Sequence, residues 1–315
     1  MPTDLETKKH KQIKGEIFLL TTAIIWGYAF VVQKVAMDTI GPLTFTFARF
    51  LLGGILLIFV SKIFDRNLEK TGTKVKTDKK AVVIGGLVCG TVICLAANFQ
   101  QVGIVTSTAG KAGFITALYI VIVPIFGLIL FKKRVTRLVW LAVFLAVLGL
   151  YLLFIKPGEF SVEKGDFLIF IGAFFWAAHI LAVDWAVVKT DPIKLSSAHF
   201  IWAGLLSGVL MFILEEPDIN AIISCWYPIL FSSVIVVGIA YTFQIIGQKT
   251  TDPTIASLLL SLESVFSVIS GMLFLGERMT GRELFGCVLM FVAVVLTQLP
   301  DKSIKKSDYR ASVGE

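Results

Sequence analysis

The sequence predicts an all-α integral membrane protein: ten transmembrane helices forming two inverted five-helix repeats around a central cavity. Three observations carry that prediction. The 315 residues are 56% hydrophobic and only 16% charged, well under the roughly 25% charged residues of a soluble domain. The apolar residues fall into runs of about 20, the length that crosses a ~30 Å hydrocarbon core. The second half of the chain also repeats the first.

The spans run at about 17–37, 43–61, 81–104, 108–131, 135–155, 165–188, 194–214, 226–248, 253–274 and 281–299. They are continuous and rich in glycine rather than alternating, which fits helices and not barrel strands. Gly53–Gly54, Gly85–Gly86, Gly90, Gly204 and Gly208 predict places where helices approach closely in lipid. Residues 62–80 and 215–224 are the longest polar stretches between spans, and 1–16 and 300–315 are polar tails. The basic N-terminal stretch leads into a full-length span without a small-x-small cleavage site, which reads as an uncleaved first helix.

The repeat covers 17–155 and 165–299. At a shift of 150 residues Trp26, Pro42, Phe50 and Gly54 fall on Trp176, Pro192, Phe200 and Gly204. At a shift of 144, Phe99, Gln100, Gly103, Thr106, Gly127, Arg134 and Thr136 fall on Phe243, Gln244, Gly247, Thr250, Gly271, Arg278 and Thr280. Five spans per copy is an odd number, so the second copy enters the membrane upside down. Lysine and arginine then fix the orientation. With the N-terminus inside, inner segments hold 22 of the 29 and outer loops hold 4, placing both termini in the cytoplasm of a cell-membrane protein.

The net charge of +7 lies in loops beside apolar runs, without a basic face interleaved with aromatics, so no nucleic acid partner is expected. Cys89, Cys94, Cys225 and Cys287 form no CxxC pair, and His10, His179 and His199 have no metal-ligand spacing. No metal or cofactor is expected. The stretch around AGKAG is not a phosphate loop, because Val105 stands where the first glycine belongs and Ala112 follows Lys111. No HExxH and no nucleophile–base pair is recognisable, so the chain does not read as an enzyme.

Three segments carry a family resemblance: WGYAFVVQK in span one, the fourth span with Pro124, and IASLLLSLESVFSVISGMLFLGERMTGRELFG in spans nine and ten. Through them the chain resembles the drug/metabolite transporter superfamily in its ten-helix EamA-type branch, over roughly residues 15–300. The resemblance implies a basket of helices closed by one half rocking against the other, and export or exchange of small metabolites. One departure is visible. Gly276–Glu277 at the end of span nine has Lys132–Lys133 at the equivalent place in the first half.

The polar residues inside spans are the candidate substrate-binding set. Glu263 lies ten residues beyond Pro253, about 15 Å into a core of ~30 Å. A carboxyl there is costly when ionised, which suits proton exchange, substrate contact or both, against a protonated packing role. The inverted copy sets Tyr119 opposite it. Trp26 and Trp176, equivalent in the repeat, sit too deep for interface anchors and read as cavity wall or as packing. Gln100 and Gln244 are also equivalent, with Tyr241 and Gln248 on the Gln244 face. Asn98 and Gln101 make a second stripe on span three; one stripe faces the cavity and the other a neighbouring helix. His179 completes the set.

Lys34 and Asp184 near span ends read as snorkelling side chains, and Arg49 and His199 as a repeat-related pair near the cavity mouth. Lys111 occupies the first turn of span four, where a cation is misplaced against the helix dipole. Either it snorkels, or it joins free amides and the hydroxyl of Ser107 or Thr108 in meeting an anionic group. The expected function is secondary transport of a small organic solute, most simply an amino acid or similar amphiphile, with protons as the coupling ion. The alternative is a passive conduit, a channel or lipid scramblase.

Overall fold

The computed structural model describes residues 4–70, 77–107, 109–132, 135–155, 163–275 and 280–297, and among these described residues all regular secondary structure is helical. The first repeat contains α1 (Asp4–Ala36), α2 (Pro42–Lys70), α3 (Lys79–Thr106), α4 (Ala109–Ala117), α5 (Tyr119–Phe131) and α6 (Arg137–Phe154). The second contains α7 (Lys164–Val187), α8 (Pro192–Leu214), α9 (Ile219–Ser224), α10 (Trp226–Phe231), a π-helical segment (Ser232–Tyr241), α11 (Thr242–Gln248), α12 (Pro253–Leu260), α13 (Glu263–Leu275) and α14 (Gly281–Thr297). Residues 4–16, read as a tail, continue α1.

Helix starts follow local chemistry. The carboxylates of Asp78, Asp191 and Asp252 accept from the first free N–H groups of α3, α8 and α12, the donors every helix start exposes. Pro192 and Pro253 stand at the first helical position, where no N–H is needed. Lys132 closes α5 at φ 53, a conformation that favours glycine. Its repeat counterpart is Gly276. That residue, with Glu277, Lys133, Arg134, Arg278, Thr108 and the C-terminal tail, lies outside the described residues.

Eight helical stretches among the described residues are long and apolar enough to cross a membrane, rather than the ten expected. They coincide with spans one to four and six to nine. The fifth appears as the shorter apolar helix Arg137–Leu153, and the tenth as α14, 17 residues long. At 1.5 Å per residue, 17 residues reach about 26 Å, short of a ~30 Å core. Large apolar side chains such as Phe59, Ile129, Phe144, Phe212 and Leu273 point outward, as lipid-facing surfaces require.

Helix packing follows the repeat. α3 packs on α7 as α1 packs on α11, α3 on α8 as α2 on the π segment, and α4 and α5 on α7 as α12 and α13 on α1. α2 pairs with its own counterpart α8, and α6 with α14. The correspondence extends to single atoms. A Cβ on Gly165 would strike the Gly103 carbonyl and the Thr106 hydroxyl; a Cβ on Gly15 would strike the Gly247 carbonyl and the Thr250 hydroxyl. All four pairs (15/165, 19/169, 103/247, 106/250) obey the sequence shifts, because Ile169 flanks the first contact and Leu19 the second. Likewise a Cβ on Gly54 would lie 2.7 Å from Ile201 N, and one on Gly204 2.8 Å from Leu51 N. Glu215 holds one end of the α2–α8 pair, accepting from Leu43 N–H, Thr44 N–H and the Thr44 hydroxyl at 2.7–2.9 Å. At the other end its counterpart Asp65 meets Lys194, the counterpart of Thr44, at 2.9 Å. These paired contacts have the pattern of an inverted repeat.

Two membrane-crossing stretches are broken near their middles. α4 gives way to α5 at Leu118, and α12 to α13 at Ser261–Leu262. Leu118 and Leu262 are equivalent at the 144-residue shift. In the second copy the Ser261 hydroxyl donates to the Leu258 carbonyl at 2.8 Å, the kind of back-bonding that bends helices. In the first, Pro124 inside α5 lacks the N–H that would bond the Ile120 carbonyl, two residues beyond the break at Leu118.

Candidate functional site

Both breaks deliver a side chain to one place. Tyr119 is the first residue of α5 and Glu263 the first of α13. They meet between the halves, where the Tyr119 hydroxyl donates to Glu263 Oε1 at 3.1 Å. Each stands at the amino end of a half-helix, the end whose free N–H groups and dipole favour an acceptor or negative charge. Around them is a cavity of about 30 Å³ lined by Trp26, Ala29, Phe30, Gln33, Arg49, Gln100, Thr116, Tyr119, Trp176, Val236, Tyr241 and Glu263. That volume holds about two water molecules.

The aromatic wall is built from repeat partners. Trp26 and Trp176 face each other with ring centroids 6.1 Å apart, and Phe50 and Phe200 lie 5.0 Å apart. Tyr241 fits between the tryptophans, 4.7 Å from Trp26 and stacked 6.3 Å from Trp176. The π segment that leads into Tyr241 has an ordinary α-helical counterpart in α3. Such wide turns recur at functional sites. Here the segment ends on a phenol where the other half has Ala97.

The cavity is therefore not symmetric. Gln33, Arg49, Thr116 and Tyr241 line it, whereas their counterparts at the repeat shifts are Val183, His199, Leu260 and Ala97. The amides differ too. The Trp176 indole donates to Gln100 Oε1 at 3.2 Å. Gln244 instead turns its amide to Gln248 at 3.0 Å, which continues to the Ile180 carbonyl at 2.8 Å. Trp26 Nε1 is consequently without a hydrogen-bond partner among the described residues.

Of the residues singled out in the sequence, Trp26, Gln100, Tyr119, Trp176, Tyr241 and Glu263 line the cavity. Asn98 does not; its amide donates to Ser207 Oγ at 2.9 Å and to the Cys94 carbonyl at 2.9 Å, joining α3 to α8. So it is the Gln100 stripe of α3 that faces the cavity. Gln101 is 1% exposed away from the lining, and Gln244 sits in the amide chain already described. His179 lies behind the wall, 6.0 Å from the Trp176 ring and 5.3 Å from the His199 ring.

Lys111 is also away from the cavity, and its neighbour is an acid. Its ammonium lies 3.6 Å from Asp166 Oδ2, while the Ser107 hydroxyl donates to Asp166 Oδ1 at 2.5 Å and Glu163 N–H to Oδ2 at 3.0 Å. Lys34 sits in the same cluster. It donates to the carbonyls of Ile104, Val105 and Ser107 at 2.8, 3.3 and 3.1 Å, satisfying the carbonyl end of α3 where a cation is favoured. Replacing it with methionine leaves those carbonyls uncapped. Lys34→Met is expected to destabilise the protein by about 1.5–3 kcal/mol, read as a lower melting temperature of the detergent-solubilised protein; an unchanged melting curve would remove this role.

The sequence reading passed over Phe30, Gln33 and Thr116 and gave Arg49 only a place near the mouth. Gln33 had a usable signal: it follows Trp26 by seven residues and Phe30 by three, one face of α1. Arg49 had another, a fixed charge inside an apolar run.

A family model for the EamA-like transporter family matches residues 13–155 and, a second time, 163–299. An uncharacterized transporter of Archaeoglobus fulgidus is 28% identical over 92% of this chain and 87% of its own length. The uncharacterized transporter YwfM of Bacillus subtilis is 26% identical over 94% and 98%, and the uncharacterized inner membrane transporter YedA of Escherichia coli 24% over 90% and 90%. A crystal structure with 17% identity superposes at a TM-score of 0.72, covering 90% of this chain and 96% of the other.

Proposed function

The chain belongs to the EamA-like transporter family, and from that premise we propose that it is a secondary active transporter of a small organic metabolite. The solute is an amino acid or similar amphiphile, moved by alternating access as an exporter or exchanger. In this reading all ten helical stretches cross the membrane, α6 and α14 being short crossings that pack on each other, and both termini face the cytoplasm. The observation that carries it is the Tyr119–Glu263 contact: two repeat-equivalent residues, each opening a half-helix, meet in a cavity between the halves. Discontinuous helices at the interface of inverted repeats are where carriers of this architecture hold solute and coupling ion.

The size of the cavity supports the same reading. About 30 Å³ is too small for a metabolite, so solute entry requires the halves to move apart. The paired glycine contacts on either side of the centre are where α3 slides on α7 and α1 on α11. Aromatic faces suit an apolar portion of the solute; Gln33, Gln100, Thr116 and Glu263 suit a polar portion. Glu263 exchanges the coupling proton.

Counterflow in proteoliposomes tests the proposal against a passive conduit. Vesicles loaded with unlabelled solute are expected to take up labelled solute transiently above equilibrium, as trans-stimulated exchange. Flux that saturates nowhere and ignores the trans solute would establish a conduit instead.

A further inference from the structure

We propose that Arg49 is the carboxylate-binding residue of the cavity and restricts the solute to molecules carrying a free carboxylate. This rests on the cavity being the solute site. Arg49 is 4% exposed and lines the cavity. Among the described residues it makes no ion pair. One Nη donates to Gln33 Oε1 at 2.9 Å, and its Nε has no partner. A guanidinium cannot shed its charge, and a buried cation without a counter-ion is expensive in a membrane protein. An anionic group on the solute removes that cost.

The surroundings hold the guanidinium in place. Its Cζ lies 5.1 Å from the Phe45 ring centroid and 4.9 Å from that of Phe50, so two aromatic faces fix its plane. Gln33 occupies one donor and the remaining fork is left for a planar, two-oxygen acceptor. A carboxylate matches better than a phosphate dianion, because the lining supplies one fixed cation and the acid Glu263. The repeat counterpart of Arg49 is His199, which does not line the cavity. The anionic end of the solute therefore has one place to go, and the pseudo-twofold does not offer a second, reversed pose.

The test is thermal stabilisation of the purified full-length protein by the common L-amino acids, by their α-amides, and by the same acids lacking the ammonium, all at one pH. For wild type, acids that stabilise are expected to lose at least about tenfold in apparent affinity as amides. Arg49→Gln is expected to abolish the preference, and Arg49→Lys to retain it at lower affinity. Amides that bind as well as acids, an Arg49→Gln protein that still discriminates, or a panel in which no carboxylate stabilises would each overturn the assignment. The wild-type comparison requires no substitution, so an unstable variant does not leave the question open. Counterflow separates the two proposals: exchange of a solute without a carboxylate sinks the role of Arg49 and spares the carrier, whereas a stabilising carboxylate that is never exchanged sinks the carrier.

Discussion

Glu263→Gln is expected to reduce proton-driven solute accumulation by about tenfold or more while sparing exchange of solute for solute. Glutamine keeps the length of the side chain and an oxygen for the Tyr119 hydroxyl, which now lies 3.1 Å from Glu263 Oε1. What it lacks is a proton to take up and release. Because Glu263 is 3% exposed between the halves, its charge state weighs on any step that brings solvent to it or seals it off. Exchange needs only that loaded halves rock, and no net proton movement. The measurement is labelled-solute uptake into proteoliposomes with an imposed proton gradient, beside counterflow in the same vesicles. Proton-driven accumulation that survives in Glu263→Gln would remove the coupling role.

Gly103→Leu and Gly247→Leu are expected to destabilise the protein by similar amounts, each about 1–3 kcal/mol, with loss of transport. A Cβ at Gly103 would lie 2.5 Å from Ile169 Cγ1 and 2.6 Å from the Gly165 carbonyl. At Gly247 the distances are 2.7 Å to Leu19 Cγ and 2.7 Å to the Gly15 carbonyl. Backbone stands on the far side in both cases and cannot rotate away, unlike a flexible side chain. Gly127→Leu is the control, since a Cβ there meets nothing within 4 Å. Melting temperatures of the three detergent-solubilised variants check the expectation; a clear inequality between Gly103 and Gly247 would mean that the two interfaces are not copies.

The membrane-length helices were legible because lipid leaves a chain few alternatives: apolar runs and the two repeat shifts place the eight long ones closely, at spans one to four and six to nine. The equivalence of Tyr119 and Glu263 was legible for the same reason. Crossing angles and helix phase were not. Gln33 and Arg49 face the cavity only because α1 and α2 turn that side inward, and His179 sits behind Trp176 because α8 brings His199 against it. The mid-helix breaks were equally hidden, since Leu118 and Leu262 are good helix formers and the interruption comes from neighbours such as Ser261. Lys34 read as a side chain reaching for headgroups, when the carbonyl end of α3 lay within its reach.

Side-specific labelling of two single cysteines tests the architecture most directly. Lys70→Cys and Asn220→Cys occupy the two polar stretches 62–80 and 215–224, both positions are exposed, and the four native cysteines are buried. In intact cells a membrane-impermeant maleimide should modify Asn220→Cys and leave Lys70→Cys untouched until the membrane is opened. Equal reaction of both from one side would mean that the five-helix halves share one orientation, leaving neither an inverted pair nor a carrier built on it.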